Sequence, residues 1–79
     1  MKIIEVRPSK KFKGAWEAFE SPGVEPAFAQ PNAKENALSY TRRRFVGSAG
    51  KIHLFDETGE NIVEKILIDG GIQYGQPQE

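Results

Sequence analysis

Seventy-nine residues make one domain, and an apolar share of 38% with a charged share of 28% belongs to a folded chain, not a disordered one. The absence of cysteine excludes disulfide staples, thiolate catalysis and cysteine-held zinc. Formal net charge is zero, with 11 basic and 11 acidic residues, which argues against a protein devoted to coating DNA.

A chain this short buries roughly 60–65% of its surface on folding. Its core must be thin, and such cores supply only about 3–5 kcal/mol, so self-association is one route to added stability. Residues 1–7 are charged early and lack the apolar block of a signal peptide. No apolar run approaches the ~20 residues that span a bilayer, so a cytoplasmic protein without a membrane partner is expected.

Residues 2–7 alternate Ile4 and Val6 with Glu5 and Arg7, the period-2 pattern of a half-buried strand. Pro8 to Lys13 is polar loop. Residues 14–20 read as a second strand, with Trp16 and Ala18 on one face and Ala15, Glu17 and Phe19 on the other. Ser21-Pro22-Gly23 is a turn, because proline presets φ and glycine permits positive φ. Residues 24–29 return as a short third strand, and Pro26 places it at a sheet edge.

A helix follows. Asn32 is a favoured N-cap residue after Pro31, and Glu35 three residues on suggests a variant capping box. Ala37, Leu38, Thr41 and Phe45 recur at helical spacing and should face the sheet. Gly47 and Gly50 are candidates for the C-terminal cap, and Arg42, Arg43 and Arg44 sit where the helix dipole favours cations. Residues 51–56 form a fourth strand, with Ile52 and Leu54 on one face and His53 and Phe55 on the other. Residues 56–60 make a hairpin loop in which Gly59 supplies the left-handed position. Residues 61–68 form the fifth strand. From residue 70 the chain turns to glycine, glutamine and proline, a composition that predicts a disordered tail over 70–79.

The order β-β-β-α-β-β, without an internal repeat, predicts a single α+β domain over residues 1–69. It is a two-layer sandwich with one helix packed on an antiparallel-type sheet. Gly14-Ala15-Trp16-Glu17-Ala18, the helix motif beginning Glu35-Asn36-Ala37-Leu38 and ending in Arg42-Arg43-Arg44, and the hairpin Gly50-Lys51-Ile52-His53-Leu54-Phe55-Asp56 with Gly59 together carry a resemblance. Over roughly residues 14–66 the chain resembles the small bacterial family catalogued as domain of unknown function 2188, with Thr41 where that family's helix has alanine. The resemblance implies a short bacterial protein without an established activity. In topology alone the chain is also similar to the N-terminal part of HicB-type antitoxins, a shortened RNase H-like fold.

The residues that could carry function are few. Lys10, Lys11, Phe12 and Lys13 interleave an aromatic with cations, and Arg42, Arg43 and Arg44 add a second basic cluster; together they could contact nucleic-acid phosphates. At about 100° per residue, however, three consecutive arginines cannot all face one partner, and a solvated helix end explains them as well. Trp16 could stack on a base, but small neighbours on a strand favour a core role, which leaves Phe12 as the better exposed aromatic. His53 is the lone histidine, and no Gly-x-Ser-x-Gly context surrounds any serine. Asp56, Glu57 and Glu60 lack the calcium-loop pattern, and no phosphate-binding loop or dinucleotide motif occurs. No catalytic residue, metal ligand or cofactor is therefore predicted.

The fifth strand is apolar on both faces, with Val63 and Leu67 opposite Ile62, Ile66 and Ile68. One helix can cover only one face, so the tail or a partner must cover the other. The first expectation is a non-enzymatic binding module for another protein, possible also as a homodimer through a sheet edge. The alternative is a nucleic-acid-binding accessory domain using the two basic clusters.

Overall fold

The computed structural model describes residues 2–69; the tail expected over 70–79 lies outside the described residues. Five strands and one helix follow the predicted order: β1 (Lys2–Pro8), β2 (Trp16–Phe19), β3 (Ala27–Phe28), α1 (Ala33–Arg43), β4 (Gly50–Phe55) and β5 (Ile62–Ile68). The strands form one sheet in the order β3-β2-β1-β4-β5. The α+β two-layer class is the one that the alternation patterns imply.

Pairing is antiparallel everywhere except between β1 and β4, which run parallel from Lys2 opposite Gly50 to Val6 opposite Leu54. The expected antiparallel sheet is therefore mixed. The reason is the helical connection: β3 runs in the same direction as β1, α1 carries the chain back, and β4 starts again from the end where β1 began.

The core lies between α1 and one sheet face. Ile4, Val6, Trp16, Ala18, Ile52 and Leu54 point into it, each at most 7% exposed. The helix contributes Ala33, Ala37 and Thr41, spaced i, i+4, i+8 on one stripe, and all three are buried. These side chains are small, so the helix backbone sits close to the sheet. Phe45, just past the helix, fills the remaining end of the layer and is fully buried. The Thr41 hydroxyl donates to the Ala37 carbonyl at 2.7 Å, which pairs this buried polar group inside its own helix.

Several local expectations are corrected. The second and third strands are shorter than 14–20 and 24–29. Gly14 takes φ 82°, and Pro22, Gly23 and Pro26 hold the chain in turn until Ala27. Asn32 precedes the helix, but at φ 63°, and its side chain makes no cap hydrogen bond, so no capping box forms. What Asn32 supplies is tolerance of left-handed backbone. Gly47, at φ 80°, does follow the helix end, whereas Gly50 is not a cap. It opens β4, where a Cβ would lie 2.3 Å from the Lys2 carbonyl oxygen and 2.3 Å from the Phe45 ring. Glycine is required there by close approach, not by φ.

Candidate functional site

The sheet has a second face that no element covers among the described residues. By strand parity it carries Ile3, Glu5 and Arg7 of β1, Glu17 and Phe19 of β2, Lys51, His53 and Phe55 of β4, and Lys65 and Leu67 of β5. Its two halves differ. On the β1–β2 half the chain satisfies itself: Arg7 Nε donates to Glu17 at 2.7 Å, its Nη1 pairs with Glu5, and its guanidinium lies 4.3 Å from the Phe19 ring centre. Glu17 is only 8% exposed, and this arginine is what makes its burial tolerable.

Among the described residues no such network is seen on the β4–β5 strands of this face. β5 is an outer strand, and its apolar side chains stand in solvent: Ile62 is 41% exposed, Val63 59% and Leu67 73%. A shift between Leu54 and Phe55 leaves Val63 as the extra residue and sets Ile62 opposite Phe55. This bulge overturns the simple alternation that grouped Ile62 with Ile66 and Ile68. Ile66 and Ile68 pack against the core as expected. At the C-terminal end of β5, a groove runs from Arg42, Arg43 and Val46 across Ile68, and a second hollow joins Ala49, Gly50 and Leu67. The exposed Val46 extends the apolar surface of β5 around this end.

The two basic clusters do not meet. Lys10, Lys11, Phe12 and Lys13 occupy the loop after β1, where Ser9 Oγ accepts from the backbone of Lys11 and Phe12. Phe12 is 60% exposed. Arg42, Arg43 and Arg44 lie at the other end of β1: the Arg44 carbonyl accepts from Lys2 Nζ, and its side chain donates to Glu20 at 3.1 Å. The length of β1 separates them, about 20 Å at 3.3 Å per residue. The Arg44 contact, with Lys2 assisting, holds the Glu20 carboxyl below the usual carboxylate range, although partial burial opposes this.

Trp16 is buried in the core, with Lys34 Nζ 5.4 Å from its ring centre, and offers no stacking platform. His53 sits half-buried on the open face between Glu5 and Lys65 in register, and among the described residues no hydrogen bond joins it to a serine or carboxylate. Asp56 does not act as a free ligand. One carboxylate oxygen accepts from Thr58 N, Thr58 Oγ1 and Glu60 N, and the other accepts from Asn61 Nδ2 at 3.0 Å. These donors, Thr58 and then Asn61, depress its pKa far below the ordinary aspartate value. Asp56 is the clasp of the β4–β5 hairpin, with Gly59 at φ 75° where the left-handed residue was expected. Among the described residues no group of three or more histidine or acidic side chains is placed to hold a metal ion.

No family model, no curated protein and no solved structure matches the chain. No helix of the described residues is long and apolar enough to cross a membrane.

Proposed function

We propose that this chain is a small, non-enzymatic, cytoplasmic module that binds another protein through β5 and the uncovered sheet face beside it. The observation that carries the reading is the exposure of Ile62, Val63 and Leu67 together on one outer strand. A domain with so thin a core has few apolar side chains to spare, and three of the exposed ones stand on this single strand. Outer strands offer unpaired backbone donors and acceptors, and an apolar outer strand of seven residues is a template for another chain.

Site-specific photo-crosslinking in the cell tests it. A crosslinker at Leu67 should give a discrete protein adduct. The same group at the exposed Ser39 on the outer helix surface should not, and Val63→Lys should abolish the Leu67 adduct. Adducts equal from both positions, or unaffected by Val63→Lys, would sink the reading. A titration with short duplex DNA and with RNA provides the competing outcome. Salt-sensitive amide shifts at Lys10, Lys11, Lys13 and Arg42 to Arg44 would replace protein binding by phosphate binding.

A further inference from the structure

We infer that β5 accepts an extended segment of a partner protein whose residues read apolar–x–acidic–x–apolar, the acidic side chain lying opposite Lys65. The inference rests on the interaction reading above and specifies its partner. It begins with parity. An added strand places each side chain on the same face as the residue it pairs with, at roughly 4.5–5.5 Å between Cβ atoms. On the open face β5 presents, in order, Ile62 opposite Phe55, Val63 at the bulge, Lys65 and Leu67. Val63 and Leu67, on either side of the lysine, are apolar and 59% and 73% exposed. Lys65 between them is exposed and enters no ion pair among the described residues. Its cross-strand neighbour is His53, not an acidic residue. An acidic side chain on the incoming strand would complete this row. The pattern is symmetric about its centre, so it holds for parallel and antiparallel addition alike.

The other face of β5 agrees. Ile66 and Ile68 lean on the core, and Ile68 shares its groove with Arg42, Arg43 and Val46. A second acidic side chain, leaving the partner near the end of β5, would meet Arg42 and Arg43. Both arginines are exposed, and neither forms an ion pair among the described residues.

The same geometry disfavours a second copy of the chain. Two β5 strands related by a two-fold axis must pair with faces matched, because a one-residue slip exchanges the faces. Centred on residue 65, the register sets Lys65 against Lys65. Centred on residue 64, it sets Glu64 against Glu64. Centred on residue 66, it sets Lys65 against Leu67 and Glu64 against Ile68. Each of these three registers puts like charge on like or charge on apolar surface; the register centred on residue 67 matches Lys65 with Asp69 and Leu67 with Leu67, but it pairs only the last residues of β5 and sets no described residue against Val63. Lys65 thus opposes the registers that would pair most of the strand with a second copy, while offering a partner with an acid the missing charge.

The test uses the isotope-labelled full chain and two blocked peptides, Thr-Val-Thr-Glu-Thr-Val-Thr and its variant with lysine at the centre, at low salt. The glutamate peptide should shift the amides of β5 and bind roughly three- to ten-fold more tightly than the lysine peptide. Lys65→Glu should invert that preference, while leaving the remaining spectrum in place to show that the variant folds. Equal binding of the two peptides, or no shift with either, overturns the inference. So does a concentration-dependent dimer of the free chain joined through β5, or slow amide exchange along the outer side of β5 in the free monomer, which would mean that the chain covers this strand itself. An adduct from Leu67 without any preference between the peptides would overturn the acidic rule alone and leave the interaction reading standing.

Discussion

The two outer strands of this sheet solve the same problem in opposite ways. β3 is two residues long, follows Pro26, and is closed by the helix: Phe28 meets the Tyr40 ring at 5.5 Å between centroids. It leaves little backbone to pair with and no large exposed side chain. β5 is seven residues long and holds three of the exposed large apolar side chains, guarded by a bulge and by the charged pair Glu64 and Lys65. The one helix among the described residues covers the interior face and the β3 side. The difference teaches that exposure on β5 is not a general shortage of cover in a small protein, since the other edge was closed with very few residues.

If that contrast is correct, stability should reside on the helix side of the sheet and be almost absent along β5. The largest effects belong to the junction of α1, β1 and β4. Phe45→Ala removes the largest fully buried side chain and should cost about 3–5 kcal/mol, most of what a domain of this size has. Gly50→Ala drives a methyl into the Lys2 carbonyl and the Phe45 ring; overpacking of this kind costs about 1–3 kcal/mol or more, since one of the two neighbours is backbone. Urea unfolding of both variants checks this. A Gly50→Ala protein as stable as the parent would mean that the β1–β4 junction is looser than its geometry.

Intermediate effects fall on the self-satisfied half of the open face. Glu17→Ala strips Arg7 of one of its two carboxylate partners at a nearly buried position, and should destabilise by about 1 kcal/mol. Arg7→Ala should cost at least as much, because it leaves Glu17 without its partner. If instead both are silent in urea melts, the two halves of the face are energetically alike and the contrast between them fails.

Smaller effects come from the hairpin clasp that positions β5. The Asp56 pKa is depressed in the fold, so its ionised form is the stabilising one. That contribution is complete above the ordinary aspartate value of 3.8 and is withdrawn as pH falls below it toward the lower folded value. Glu20, depressed chiefly by Arg44, acts in the same direction. Thermal melts from pH 7 down to pH 2 should show stability falling with acid. Asp56→Ala should lower the midpoint by a few degrees at pH 7 and flatten this dependence. An unchanged slope in that variant would remove Asp56 as the clasp.

Much of this was legible in the residues. Alternation in Ile4–Val6 and Ile52–Leu54 fixes which side chains meet the helix, because period 2 and burial are the same fact in a two-layer sheet. Trp16 reads as core for the same reason. Three things were not legible. Parallel pairing of β1 with β4 depends on which strands become neighbours, a long-range choice that local patterns do not encode. Gly50 looked like a helix cap because proximity to Phe45 and Lys2 appears only after folding. The bulge at Val63 breaks period 2 at Ile62, and a pattern read from 61 to 68 as uninterrupted has no means of detecting it. Of the candidate site, the apolar excess of β5 and the two basic clusters were visible, but the length of β1 between those clusters was not.

The smallest expected effect is the most informative. Leu67→Lys places a charge on a side chain that is 73% exposed and makes no core contact, so the urea midpoint should move by no more than about 0.5 kcal/mol in stability. The same change at Ile66, its core-facing neighbour, should destabilise clearly, because that side chain packs against the buried cluster. The pair isolates one variable: two adjacent residues on one strand, similar in chemistry, on opposite faces. If Leu67→Lys proves as costly as Ile66→Lys, then Leu67 is covered in the folded chain, and β5 is closed as β3 is, by the protein itself. If it is neutral, Leu67 stands at a position where the fold gains nothing from it, and the edge that the binding reading needs is open.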